Sequence, residues 1–365
     1  MYVHILAFFI FPGSALVGQS IDFFDFSFLL SPQHAITYDG GARFGDRAMG
    51  YAQARYLSFM TDVPFIYRPF LYSEYLTIDF QAAAYDAEAS RFICTFRINS
   101  AQSLSDFFCK IRDPNTPPTL FVVEYFPTDI TEWDFDKTRE ICFHIPWHDP
   151  EFHSYLQQSM RPRIPIPKLT KKGFLNVADH VRTLSGGDAL PSFGFTLKHT
   201  NLEYHRRQIR RIYEWNLQKP MYVFLFSDTK HPLELLESFR NHFLNTNIEF
   251  GIQFLENPDT DYAIQDFFAM QEFDALIATQ SNFSMMAWRL GSFDLVIHPE
   301  HSIGSYPDTE IDRVHIISKK SEWFPFELDM ILKDKDLSHS VKDWFPDEHI
   351  YINNLKNREL RKEAP

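Results

Sequence analysis

Residues 274–299 read DALIATQSNFSMMAWRLGSFDLVIHP: an apolar run of strand length, a polar turn Gln280-Ser281-Asn282-Phe283-Ser284, a short apolar helix and a second apolar run. Two buried strands joined through a helix are the repeating unit of a parallel sheet. Hydroxyls and backbone N–H groups at the start of such a helix face outward with a partial positive charge, so a diphosphate can sit there without a metal. Taken alone, the stretch reads more simply as an ordinary capped helix, because Ser and Asn are also the usual N-caps.

Its neighbours extend the pattern. Strand-like runs at 174–178, 221–226, 248–255, 275–278 and 295–298 alternate with helix-like runs at 203–217, 232–243, 262–273 and 283–290. This alternation predicts a parallel sheet wrapped by helices. Ligands of such sheets bind beyond the carboxyl ends of the strands, where the loops carry His180-Val181-Arg182, Ser227-Asp228 and Ser281 to Ser284.

The first half also reads as α/β, less regularly. A strand at 35–38 leads into the turn Asp39-Gly40-Gly41-Ala42-Arg43-Phe44-Gly45-Asp46. A helix follows with Met49, Ala52, Tyr56, Phe59 and Met60 on its buried face and Asp46 where an N-cap belongs. Further strands fall at 92–96 and 120–125. Residues 146–167 hold a helical core at 152–160, and their prolines Pro162, Pro165 and Pro167 predict a linker rather than a core element. The expected division is 21–162 and 163–335, with a C-terminal extension at 336–365 whose tail, 357–365, is charged.

Composition narrows the function. The 365 residues are 45% hydrophobic and 23% charged, as in folded globular proteins of this size, and 38 Phe and 22 Pro predict aromatic packing and many turns. A net charge of -13 argues against a nucleic-acid partner, because phosphate backbones are held by surplus Lys and Arg. The cluster Arg206, Arg207, Arg210 and Arg211 lies in a helix-like stretch and reads as a solvated helix face. Three cysteines, Cys94, Cys109 and Cys142, with no C-x-x-C pair, argue against a disulfide framework or structural zinc.

The apolar run at 3–11, followed by Pro12-Gly13 and the small residues Ser14, Ala15 and Gly18, looks like a signal peptide occupying residues 1–20. The basic segment usual before such a run is missing, which leaves an extra strand or an anchor as the alternative. Location stays open between export and the cytoplasm. No segment is long and apolar enough for a membrane-spanning helix.

Three short motifs, in order, resemble a known superfamily. The Gly41-to-Asp46 turn is similar to the glycine-rich G-x-x-G-N turn of the α-1,2-fucosyltransferases, nodulation fucosyltransferases and protein O-fucosyltransferases. Asp179-His180-Val181-Arg182 resembles their H-x-R signature, and Ser281-Asn282-Phe283-Ser284, backed by Trp288 and Leu290, resembles their S-S-F-S turn and helix. Asp266 matches an acidic residue those families place in the preceding helix. The resemblance covers about 35 to 300 and lies in the combination of order, spacing and strand context.

The resemblance implies a GT-B fold, two Rossmann-like domains facing a cleft, and an inverting, metal-independent glycosyltransferase that uses a nucleotide sugar, GDP-fucose or another GDP-sugar, on a carbohydrate or glycoprotein hydroxyl. It needs no cofactor. Arg182 would hold the diphosphate and stabilise the charge developing on the departing GDP, with His180 in support. Arg43 and Gly45 of the glycine turn, Asp228, and Ser281, Asn282, Phe283 and Ser284 would line the donor site, and Asp266 would contact the guanine or ribose. The chain departs from the pattern at Thr183, where many members have a second Arg, at Asn282, where Ser is common, and at Asp46, where Asn is common. The Asp46 carboxylate could serve as general base or simply cap its helix.

Other motifs read as weaker sites. Asp259-Thr260-Asp261 resembles a manganese-binding D-x-D but lacks the further oxygen ligands a hard cation needs, and His144 and His148 lack paired ligand spacing. No G-x-G-x-x-G or P-loop is present to support another nucleotide enzyme. The rival from a different class is a non-catalytic protein of the same fold that binds a glycan or partner.

Overall fold

The computed structural model describes residues 33–41, 43–80, 83–126, 149–183, 202–253, 262–279, 281–299, 314–318 and 321–324. All of them fall in the compact unit Gln33–Pro365. The leader-like segment, Gln280, Cys142, the histidines His144 and His148, Asp259-Thr260-Asp261 and the charged tail lie outside the described residues.

In the first half, β1 (His34–Gly40), α1 (Phe44–Thr61), β2 (Ile66–Tyr67), β3 (Ala83–Ala84), α2 (Tyr85–Glu88), β4 (Cys94–Ile98), α3 (Ala101–Lys110) and β5 (Thr119–Phe126) follow in order. Strands β1, β5 and β4 form a three-stranded parallel sheet in that spatial order, with Tyr38 opposite Val123. The short β2 and β3 pair in parallel beside it.

The second half continues with α4 (Pro150–Ser159), β6 (Leu175–Val181), α5 (Leu202–Trp215), β7 (Met221–Ser227), α6 (Pro232–His242), β8 (Ile248–Ile252), α7 (Tyr262–Met270), β9 (Ala275–Ile277), α8 (Asn282–Leu290), β10 (Leu295–Pro299) and β11 (Val314–Ser318). Its six-stranded sheet runs β11-β10-β9-β6-β7-β8, parallel throughout except for β11, which pairs antiparallel with β10. The chain builds outward from β6 through β7 to β8, then returns to β9 on the other side of β6. That reversal is a topological switch point, and the crevice beyond the carboxyl ends of β6 and β9 is where sheets of this kind take ligands. The α/β class with a parallel sheet in the C-terminal half is therefore the one expected. β11, the antiparallel edge strand, was not anticipated.

Strand alternation sorts the core. On β6, Val177 and Val181 face α5 and α6 with Ile209, Ile212 and Phe239, whereas Ala178 faces the opposite layer. That opposite layer is continuous with the first half: Ile36, Tyr38, Phe121 and Val123 belong to one apolar cluster with Phe267, Phe273, Leu276 and Val296. α1 carries the continuity. Phe44 at its start meets Phe267 edge-on at 4.9 Å, a geometry that aligns ring edge with ring face.

One expectation needs correction. The proline-flanked segment is not a linker, because α4 is a core helix. Pro150 occupies the first helical turn, where its missing N–H costs nothing, and Asp149 caps the helix by accepting the N–H groups of Glu151 and Phe152. Phe152 and Leu156 are fully buried. The guanidinium of Arg55 on α1 lies 4.6 Å from the Tyr155 ring, and Gln157 Nε2 donates to the Leu290 carbonyl at 2.5 Å, so α4 closes the C-terminus of α8. Truncating the buried ring in Phe152→Ala should cost about 3–5 kcal/mol in urea unfolding. A loss below about 1 kcal/mol, within the range of surface changes, would restore the linker reading.

Candidate functional site

The last turn of β6 presents side chains to both faces of the sheet. Asp179 points toward α5, where its Oδ1 lies 2.6 Å from His205 Nδ1, and neither side chain reaches solvent. His180 points the other way, its ring 5.6 Å from that of Phe283 and its Nδ1 3.4 Å from Thr279 Oγ1. His180 belongs to the strand itself, which runs further than the sequence pattern predicts. Burial, then Arg182 and His205, lowers its pKa to about 3, so the ring is neutral at ordinary pH.

Arg182 is the first residue beyond β6 and its side chain is only 9% exposed. Its Nη1 donates to Ser281 Oγ at 3.2 Å, and its Nε stands 3.9 Å from Asp228 Oδ2. Burial lowers its pKa, Asp228 and Asp46 oppose that shift, and Arg43 adds to it. The other Asp228 oxygen accepts the Thr183 N–H at 2.8 Å and the Thr183 hydroxyl at 3.3 Å. Thr183 thus anchors the carboxylate that faces the guanidinium.

Ser281 caps α8 by accepting the Phe283 N–H, while Ser284 is fully buried and donates its hydroxyl back to the Ser281 and Thr279 carbonyls. Ser281 therefore belongs to both the helix cap and the Arg182 contact, and Ser284 to the scaffold of the turn.

The first half supplies a second helix N-terminus at the same place. The N-cap of α1 is Arg43, not Asp46 as the pattern indicated, because the helix starts earlier, at Phe44. Asp46 sits at the third helical position, where Oδ2 accepts the Arg43 N–H at 3.4 Å and Oδ1 accepts Asn282 Nδ2 at 2.5 Å. Gly45 allows this approach: a Cβ there would stand 2.4 Å from the Phe283 nitrogen and 2.6 Å from the Asn282 carbonyl carbon, both rigid backbone. The departures at Asp46 and Asn282 turn out to be bonded to each other.

Arg43, Gly45, Asp46, His180, Arg182, Asp228, Ser281, Asn282, Phe283 and Ser284 are thus brought together. Asp266 is not joined to them by a hydrogen bond. It lies on α7, half-buried, with Oδ1 sequestered and unpartnered, and burial pushes its carboxyl up to about 7. The Asp179–His205 pair escaped the sequence reading. Asp179 adjoins the H-x-R stretch, but its partner lies 26 residues away on a helix with no motif of its own. Tyr204 beside it donates its hydroxyl to the Ala278 carbonyl, so the start of α5 braces the ends of both β6 and β9.

No protein-family model matches the chain, and no curated protein matches it. Solved structures with a similar course of the chain include a mutant of Arabidopsis thaliana FUT1 in complex with GDP, 12% identical, with TM-score 0.48 over 75% of this chain and 72% of that one. Others are the fucosyltransferase NodZ from Bradyrhizobium, 12% identical with TM-score 0.40 over 78% and 99%, and POFUT1 in complex with GDP-fucose, 12% identical with TM-score 0.38 over 72% and 96%.

Two consequences are measurable. Gly45→Ala forces α1 off the α8 turn, and this overpacking should cost about 1–3 kcal/mol in urea unfolding despite the better helix propensity of alanine. A stabilised variant would mean that the helices are not in contact. The raised Asp266 carboxyl keeps its proton in the folded state after the unfolded chain has lost it, so this group erodes stability as pH rises from about 4 to about 7. Asp266→Asn should therefore gain on the parent between pH 5 and pH 8 in paired unfolding curves. A pH-independent difference would show an ordinary, ionised carboxylate. His180 acts with the opposite sign, its contribution being lost as pH falls from 6.5 toward 3, and it is common to both proteins.

Proposed function

We propose that the protein is a glycosyltransferase of the GT-B kind whose donor is a nucleoside diphosphate sugar, GDP-fucose by the resemblance of its three motifs. The observation that carries the proposal is the buried Arg182 guanidinium at the switch point, bonded to the N-cap of α8 and flanked by the N-terminus of α1. A buried cation between two helix N-termini is matched to a dianionic diphosphate better than to a neutral ligand.

In the reaction so read, the acceptor hydroxyl oxygen attacks the anomeric carbon on the face opposite the diphosphate and forms the new glycosidic bond. The bond from that carbon to the phosphate oxygen breaks, its electron pair leaves on the diphosphate, and configuration inverts. Arg182 and the N–H groups of the α8 turn meet the charge as it grows, which is where fixed positive charge lowers the barrier most. The hydroxyl proton passes to Asp46. Ser281 and Asn282 hold phosphate or ribose oxygens, Phe283 packs against neutral His180 behind them, and Asp228 keeps Arg182 oriented.

One observation favours the non-catalytic alternative: both Asp46 oxygens already accept hydrogen bonds, which suits a bridge between helices as well as a base. A pure binder would release no free sugar from GDP-fucose when no acceptor is present, whereas a transferase site leaks some to water.

Calorimetric titration with GDP, GDP-fucose, GDP-mannose and UDP-sugars in EDTA tests the donor. Binding selective for GDP compounds is expected. Arg182→Ala should abolish most of that affinity and cut transfer by about 10²–10³-fold, the effect of losing one preorganised charge-stabilising donor. Unchanged affinity and transfer in Arg182→Ala would overturn the assignment.

A further inference from the structure

The candidate site occupies the carboxyl ends of the strands, and the amino ends of the six-stranded sheet carry a second surface. We propose that this surface docks on an anionic lipid bilayer, with Leu217 and Leu244 entering the headgroup layer and the surrounding Lys and Arg side chains meeting lipid phosphate and carboxylate.

Neighbouring turns build it. The turns after α5 and α6 lead into the adjacent strands β7 and β8, whose first residues Met221 and Ile248 are paired. The Met221 N–H donates to the Asn247 carbonyl at 3.0 Å, the Asn247 N–H to the Tyr213 hydroxyl at 3.2 Å, and Arg210 Nη2 to His242 Nε2 at 3.0 Å, so both helix ends and both turns share one edge. The Leu175 N–H donates to the Pro220 carbonyl at 3.1 Å, which brings the Lys171-Lys172-Gly173 turn before β6 alongside them.

Leu217 and Leu244 sit in the turns after α5 and α6, 70% and 73% exposed. One exposed leucine is ordinary, but Leu217 also lies at φ 53°, followed by Gln218 at φ 57°, in the left-handed region that ends helices and favours glycine there. A leucine at that position adds strain and leaves its side chain in water, and neither stabilises the folded chain by itself. An apolar phase that takes up the side chain supplies the missing gain.

Charge selects the occupant. Residues 168–173, 210–220 and 240–249 together hold seven Lys and Arg against Glu214 and Glu249, in a chain of net charge -13. Glu249 is itself held by Lys171, while Lys172, Arg210, Lys219 and Arg240 are exposed. On the other side of β6 the residues leading into β9 and β10 are acidic, with Glu272, Asp274 and Asp294. The positive edge is therefore the one that bears the leucines, and Lys and Arg beside an anionic leaflet add their attractions. A second copy paired symmetrically would set like charges face to face. A folded protein partner needs a contiguous buried centre, whereas leucines on separate turns ringed by long cationic side chains match a fluid interface that closes around them.

β6 is seven residues long, which sets this edge about 20 Å from Arg182. A chain docked here keeps the crevice at Arg182 facing away from the bilayer.

The test is cosedimentation of the full chain with vesicles of phosphatidylcholine alone and of phosphatidylcholine mixed equally with phosphatidylserine, alongside retention on polyglutamate beads. Binding to the mixed vesicles only is expected, released by high salt. The pair Lys172→Glu and Lys219→Glu should weaken it at least tenfold, and the pair Leu217→Gly and Leu244→Ser at least fivefold. Urea unfolding controls for the fold, and Leu217→Gly, which relieves the left-handed strain, should leave stability at or above the parental value. Equal binding to both vesicles, no vesicle binding, or binding indifferent to either pair would overturn the proposal. Retention on polyglutamate without vesicle binding would do the same, and would assign the surface to an acidic protein instead.

Discussion

The arrangement depends on one close contact, the seating of Gly45 at the start of α1 against the backbone of Asn282 and Phe283 at the start of α8. Those two helices follow strands of different sheets. Bringing their N-termini together places the carboxyl edges of both sheets around one point. Aromatic burial makes the contact stable: Phe44, Phe267 and Phe283 pack edge to face beneath it, and α4 closes the far end of α8. The Asp46–Asn282 hydrogen bond then sets the register between the two turns.

Two helix N-termini in contact concentrate positive potential, and buried Arg182 and nearby Arg43 add to it. The folded chain offsets this with Asp46 and Asp228, one from each half. Asp228 is oriented by Thr183, whose N–H and hydroxyl both donate to one of its oxygens and fix the anion beside the guanidinium. Behind the site, Asp179 and His205 form a pair sealed from water, and an unpaired buried carboxylate oxygen remains on Asp179. A group of that kind tolerates little displacement, which stiffens the strand end bearing His180 and Arg182.

The parts written locally were legible. Strand and helix order in the second half follows from apolar runs and their spacing, and the position of Arg182 and Ser281 at strand ends, where they meet, follows from their place after predicted strands. Boundary errors had local consequences. Starting α1 at Asp46 hid the role of Arg43 as its N-cap, and ending β6 at Ala178 made His180 look like a loop residue when it is part of the sheet. The prolines after α4 were read as marking a linker, although the helix they follow, with Pro150 in its first turn, is packed into the core.

What the sequence determined by itself was the α/β alternation, the polar turns at strand ends and the residue types able to hold an anion, because each depends on periodicity or on chemistry within a few positions. Only the tertiary structure decided which of those residues share a site. It joined Asp46 to Asn282 across 236 positions and Asp179 to His205 across 26, while leaving Asp266 outside the network despite its matching position in the sequence. The physical reason is that a contact between helix ends depends on the backbone clearance left by Gly45 and on the packing of rings from three helices. No window of sequence contains those distances.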